Sequence, residues 1–290
     1  MTSAPIQTAG RESKIVARNI RQVYPIRRQE DGAVTEFEAI KHLDLDVRTG
    51  EFLAILGPSG CGKSTFLDML AGLAHPSAGE IRIDGQVING PALDRGFVMQ
   101  GYALFPWRTV RKNVEFGLEI KKVAATERQA ISQRYLELVG LQNFADRYPH
   151  ELSGGMKQRV AIARALAYDP GVLLMDEPFA ALDAQTRENL QEELLRIWEK
   201  TQKTIVFVTH SIDEAVFLSD RVAVMTANPG TIKALVEINL PRPRDGTRSS
   251  AEFGWIRHKI WELLQTESVA NAAQQGSVNI AESIAASAEL

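Results

Sequence analysis

No feature constrains this chain more than GPSGCGKST, Gly57 to Thr65, which satisfies G-x-x-x-x-G-K-[ST] at every fixed position. The run before it, GEFLAILG, is short and apolar, as a buried strand is. The run after it, KSTFLDMLAGL, changes to helical periodicity. A glycine-rich turn between strand and helix is built to wrap a phosphate. Gly57, Gly60 and Gly62, with Pro58, Ser59 and Cys61 between them, let backbone N–H groups turn inward without side-chain obstruction. The helix start adds a partial positive charge. Lys63 can reach the outer phosphates of a nucleotide, and Ser64, followed by Thr65, can place a hydroxyl on Mg²⁺. Cys61 reads either as a small filler or as a thiol whose modification would block the loop.

Two later runs end in polar groups at positions where a parallel sheet binds its ligands. VLLMDEP, Val172 to Pro178, gives four apolar residues and then two acids. An apolar strand ending in Asp176 puts that carboxylate at the carboxyl edge of the sheet, where it would hold Mg²⁺. Glu177 would point to a different side and polarise a water for attack on a terminal phosphate. An acid pair after a strand is otherwise a solvated loop, and the phosphate loop in the same chain favours the functional reading. TIVFVTH ends in His210, which at the same edge would sense or organise the terminal phosphate, although a lone histidine is more often structural.

From Ser153 the chain reads helix, strand, helix, strand, helix, strand, which indicates a parallel sheet with covering helices. KIVARNIRQVY and FEAIKHLDLDVRTG alternate as strands do, and PIRRQEDGAVTE between them reads as a loop or long hairpin turn. The stretch from about Gln100 to Pro149 looks helical, with Thr126 as an N-cap. The expected fold class is α/β: a P-loop NTPase core with a mainly parallel sheet, an N-terminal antiparallel β subdomain and an inserted α-helical subdomain. The expected divisions are a disordered N-terminus (1–13), an ATPase domain (14–240, helical subdomain about 100–167), a connector and amphipathic helix (241–266), and an Ala- and Ser-rich tail (267–290).

Composition narrows the function classes. The net charge of -3 offers no global basic field for nucleic acid. No run approaches the roughly 18 apolar residues a membrane span needs. The N-terminus is not expected to be a secretory signal. A single cysteine excludes an intrachain disulfide and zinc sites built from several cysteines. It fits a reducing cytoplasmic setting.

LSGGM, then KQRVAIARAL, then VLLMDEPFAALD, then VTH, together with the phosphate loop, resembles the ATP-binding cassette family over about residues 14 to 240. The resemblance implies two cassettes joined head to tail, a second ATPase subunit being an identical chain or a paralogue. Ser153, Gly154 and Gly155 of one would face the ATP held by the other. Ser153 caps a helix whose N-terminus favours an anion, and capping alone does not explain two successive glycines. The resemblance also implies that Tyr24 stacks on adenine, that Gln100 links Mg²⁺ and attacking water to the helical subdomain, and that Asp183 contacts the partner cassette. A strand-end tyrosine also serves simply in packing.

Within that family, a single cassette without a membrane span resembles an importer subunit that drives separate integral membrane permease subunits, and indirectly a solute-binding protein, from the cytoplasmic face of the inner membrane. Phe105, Pro106 and Trp107 would line the groove for the permease, unless Phe105 and Trp107 pack internally. LFPWRTV, DEPFAALDAQTR and LPRPRD together are similar to the nitrate, sulfonate, taurine and bicarbonate group. The competing classes are a soluble regulatory or mechanical ATPase with no transport partner and a P-loop kinase, for which no acceptor site is evident.

Overall fold

The computed structural model describes residues 12–27, 33–227 and 229–265. In chain order the strands are β1 (Ser13–Arg27), β2 (Val34–Arg48), β3 (Phe52–Leu56), β4 (Ala78–Ile83), β5 (Gln86–Val87), β6 (Arg95–Val98), β7 (Val172–Asp176), β8 (Thr204–Thr209), β9 (Arg221–Met225) and β10 (Gly230–Glu237). The helices are α1 (Lys63–Ala71), α2 (Val110–Ile120), α3 (Ala125–Leu138), α4 (Gly154–Ala167), α5 (Ala184–Thr201), α6 (Ile212–Leu218) and α7 (residues 251–265). The polar N-terminal and Ala- and Ser-rich C-terminal stretches lie outside the described residues, except that Glu12 accepts a bond from the Thr49 amide and Ser13 opens β1.

One sheet of ten strands runs in the order β5-β4-β1-β2-β10-β9-β3-β8-β7-β6. Its β6, β7, β8, β3 and β9 portion is parallel, while β5, β4, β1 and β2 pair antiparallel. This is the expected α/β fold. The parallel strands are near-continuous apolar runs because both of their faces are covered. Along β3, Phe52, Ala54 and Leu56 join one core and Leu53 and Ile55 the other, as the period of two requires. The first core holds the edge-on Phe52–Trp198 pair, with ring centroids 5.9 Å apart, and lies under α4, α5 and α6. The second lies under α1, where Phe66 and Leu70 are fully buried. The amphipathic α7 sinks Phe253, Ile256 and Ile260 into the first core.

Two local expectations need correction. PIRRQEDGAVTE is not all loop: Pro25, Ile26 and Arg27 pair with Glu36, Thr35 and Val34. The ladder to β4 ends at Arg21↔Ala78, so this end of the hairpin extends beyond β4 and the missing N–H of Pro25 costs no bond there. Nor does Thr126 cap α3. The helix starts at Ala125, directly after the turn through Lys122 (φ 59°), and its N-cap position, Ala124, offers no side-chain acceptor.

The inserted helices are fitted closely. A Cβ on Gly117 of α2 would overlap the Tyr168 ring, so glycine lets α2 lie on the end of α4. Asn113, fully buried on α2, donates to the carbonyls of Phe105, Arg108 and Thr109 and accepts from the Phe105 amide at 2.8 Å. One side chain thereby fixes the turn that carries Phe105, Pro106 and Trp107.

Candidate functional site

The ends of β3, β8 and β7 lie side by side, with Leu56 opposite Thr209 and Val208 opposite Asp176. The phosphate loop, the acid pair and His210 therefore leave the same edge of the sheet. Gly60 (φ 78°) and Gly62 (φ 90°) hold the left-handed backbone that bends the loop. A Cβ on Gly57 would come within 2.7 Å of Cys61 Sγ and 2.9 Å of the Met225 carbonyl. Cys61 is fully buried under the loop, which is the filler's position. Pro58 and Ser59 are exposed above it, and Thr65 is half-buried in the first turn of α1. Lys63 is 5% exposed, and its ammonium donates to the carbonyls of Gly57 and Pro58, both at 2.9 Å.

Side chains knit this edge together. Ser64 Oγ donates to Asp176 Oδ1 at 3.2 Å, joining the loop to the acid strand. Burial raises the Asp176 pKa, the nearby charges of Glu177 and Asp68 raise it further, and the Ser64 bond and Lys63 oppose the rise. A carboxylate and a hydroxyl this close are hard oxygen donors of the kind Mg²⁺ takes, with phosphate oxygens and waters completing its shell. Among the described residues no cluster of three or more His, Cys, Asp or Glu side chains forms a metal cage. Glu177 sits in the left-handed region (φ 42°), its amide donating to the Val208 carbonyl. Its Oε2 lies 2.9 Å from His210 Nδ1, across the β7–β8 boundary. Glu177 thus bonds to His210, while its neighbour Asp176 bonds to Ser64.

Other expected residues stand apart. Gln100 is exposed two residues beyond β6 and makes no hydrogen bond to Ser64 or Asp176. Tyr24 is 39% exposed on β1, opposite Phe37 on β2. Ser153 caps α4, accepting from the Met156 amide at 3.3 Å, and stays exposed. The two glycines after it have a reason within the chain. A Cβ on Gly155 would lie 2.7 Å from Thr186 Cγ2, and one on Gly154 would lie 3.0 Å from the Tyr102 hydroxyl. The start of α4 is thus pressed against the start of α5, which Asp183 caps by accepting from the Thr186 amide at 3.0 Å. That bond holds the Asp183 carboxyl below its usual range. Two helix N-termini share one edge, a local preference for negative charge.

At the aromatic turn the internal and external readings divide. Phe105 packs on Phe116, with ring centroids 4.6 Å apart, and lies near the guanidiniums of Arg108 and Arg164. Pro106 is exposed and Trp107 is 73% exposed. Sequence reasoning missed the residues that hold this region. Arg164 of α4 donates to the carbonyls of Tyr102 and Ala103, tying the loop after Gln100 to that helix, and burial lowers its pKa. A charged residue within the apolar pattern AIARALA was the available signal.

The fold and the phosphate loop, with two acids and a histidine at the same edge, define a P-loop nucleoside triphosphatase. Residues 40–180 match the ABC transporter family. The chain is 57% identical over 79% of its length, and 85% of the relative's, to an uncharacterized ABC transporter ATP-binding protein of Methanocaldococcus jannaschii. It is 54% identical over 80% of its length, and 92% of the relative's, to the nitrate import ATP-binding protein NrtD of Synechocystis sp.. Among solved structures it resembles the ATP-binding cassette MJ0796, a dimer in a post-hydrolysis state bound to ADP and Pi. That match has a TM-score of 0.66 and 33% identity, and covers 78% of this chain and all of that one. The chain belongs to the ABC transporter family and is one of its ATP-hydrolysing cassettes.

Proposed function

We propose that this chain is the ATPase subunit of a membrane importer for a small anion, such as nitrate, a sulfonate including taurine, or bicarbonate. Two copies, or one copy and a paralogue, close around ATP. The paired bonds Ser64–Asp176 and Glu177–His210 carry the catalytic part of this reading. Lys63 neutralises the outer phosphates, and Ser64 and Asp176 are the residues to hold Mg²⁺, with Gln100 reaching it from the helical side. The bound cation would supply charge neutralisation on phosphate oxygens. Glu177, with Oε1 left for a water when Oε2 faces His210, orients that water and takes its proton. His210, with Nδ1 on Glu177, presents its other ring nitrogen toward the γ-phosphate. Ser153, Gly154 and Gly155 of the opposite cassette complete the anion site, Asp183 lies at the contact between cassettes, and Tyr24 stacks on the base.

The likeness to a nitrate import protein supports the importer assignment, and the exposed Trp107 beside a packed Phe105 suits an anchor for a permease. The chain would sit peripherally on the cytoplasmic face of the inner membrane, with a solute-binding protein on the far side choosing the cargo. No helix among the described residues is long and apolar enough to cross a membrane itself. The test is to tag the chain, solubilise native membranes in mild detergent and identify what co-purifies by mass spectrometry. A polytopic membrane protein is expected, and Trp107→Ala should lose it while keeping ATPase activity. Recovery of an active ATPase with no membrane partner would overturn the importer assignment and leave the ATPase standing.

A further inference from the structure

The Pro- and Arg-rich connector at residues 241–250 has no part in the site above, yet its arginines end on the segment that carries His210. Arg244 is 2% exposed and donates to the carbonyls of Val216 (2.8 Å), Phe217 (2.7 Å) and Ser219 (2.7 Å). These lie at the C-terminus of α6, where carbonyls lack helical partners. Arg242 adds bonds to the Leu218 carbonyl and to Asp220. Arg248 lies 3.8 Å over the Phe217 ring and donates to Gln191 Oε1. Gln191 passes the contact on, donating through Nε2 to Glu214 Oε1 at 3.0 Å. Glu214 Oε2 accepts from the Thr209 hydroxyl, and Thr209 Oγ1 accepts from the Ser211 amide at 3.0 Å. Ser211 Oγ in turn accepts from the Glu214 amide at 3.3 Å.

Both chain neighbours of His210 are therefore fixed by Glu214, while the imidazole itself is exposed and bonded to Glu177. Its position is set by its flanks. We infer that Arg248 is a positioning residue for ATP hydrolysis, acting through Gln191 and Glu214 to hold the Thr209–Ser211 segment so that His210 stays on Glu177. The inference rests on the reading of His210 and Glu177 proposed above.

Amide chemistry explains why Arg248 matters. Gln191 is 2% exposed and has one carbonyl oxygen and one NH₂ to place. Because Arg248 occupies the oxygen, the NH₂ is aimed at the Glu214 carboxylate. Without Arg248 the amide can flip and set oxygen against oxygen, leaving a buried carboxylate short of a donor. The nearest alternative cation is Arg187, whose Nε is 4.0 Å from Glu214 Oε1. A carboxylate drawn to Arg187 would pull on Thr209 and displace His210.

The test uses the full chain and three variants, with a fourth in reserve. Arg248→Met keeps an apolar stem against Phe217 and removes the donor. Its kcat should fall roughly tenfold, the size expected for a link in a coupling network, with the KM for ATP unchanged. The imidazole resonances of His210, assigned with His210→Ala, should shift while those of His42 do not. Arg248→Lys, which restores a donor, should recover part of the rate and move the resonances back. If Arg248→Met does not fold, Gln191→Met breaks the same link with a similar volume and takes its place. A folded variant with wild-type kcat and unmoved His210 resonances overturns the inference while leaving the site reading intact. Wild-type turnover in His210→Ala would instead sink the reading of His210, and the resonance shift alone would then decide whether Arg248 positions it.

Discussion

The sheet edge that carries Lys63, Asp176 and Glu177 and the helix end that carries Ser153 to Gly155 are built on opposite plans. At the sheet edge, side chains bond to one another across elements: Ser64 to Asp176, Glu177 to His210. At the helix end, Ser153 and Asp183 bond to the first turn of the helix each one caps. Ser153 remains exposed. One region assembles chemistry within the chain. The other assembles a surface whose attraction for negative charge is left to act outward.

The comparison can be broken at four points. Lys63→Ala removes the one cation buried in the loop and should cost about a hundredfold or more in ATP turnover, with productive ATP binding weakened in a filter or calorimetric assay. Unchanged hydrolysis would argue against the whole assignment of the edge. Glu177→Gln should slow hydrolysis by about 10²- to 10⁴-fold while ATP still binds, so that ATP shifts the chain to a dimer in size-exclusion chromatography. Wild-type turnover would remove Glu177 from its role. Gly155→Ala sharpens the contrast from the other side. Its methyl must displace Thr186, so about 1–3 kcal/mol of stability should be lost, measurable by urea denaturation. A variant as stable as wild type would show that the two helix starts separate freely.

The smallest effect is expected of Asp183→Ala, read as a pH dependence. The Thr186 amide lowers the Asp183 pKa from 3.8, so the folded state favours the ionised form. Its contribution is fully present above the ordinary carboxylate range and is lost as pH falls through the lowered value. Wild type should therefore melt slightly higher than the variant at neutral pH, and the gap should close as pH falls below the ordinary carboxylate range. A gap that widens in acid would contradict the capping role.

What was legible in the sequence was what is local. The phosphate loop spans nine residues whose spacing is itself the structure, and Asp176 is marked by the apolar run it ends. The α/β fold followed from alternating periodicities. The bond between Glu177 and His210 could not be read, because 33 residues separate them and only strand order makes β7 and β8 neighbours. The same holds for Asn113, Arg164 and Glu214, polar residues at positions that periodicity assigns to packing. The glycines of LSGGM were legible as a motif, but Thr186 is the neighbour that leaves no room for a side chain at Gly155. Strand limits in the hairpin were misjudged because Pro25 signals a turn unless one knows that β4 stops short of it.

The two halves of the sheet meet where β10 runs parallel to β2, pairing Gly230 with Ile40 and Thr231 with His42 across a break in register. That seam lies against the phosphate loop, for a Cβ on Gly230 would overlap the carbonyl oxygen of Cys61. The phosphate loop and the boundary between the halves therefore meet backbone to backbone at Gly230, where no side chain could be accommodated.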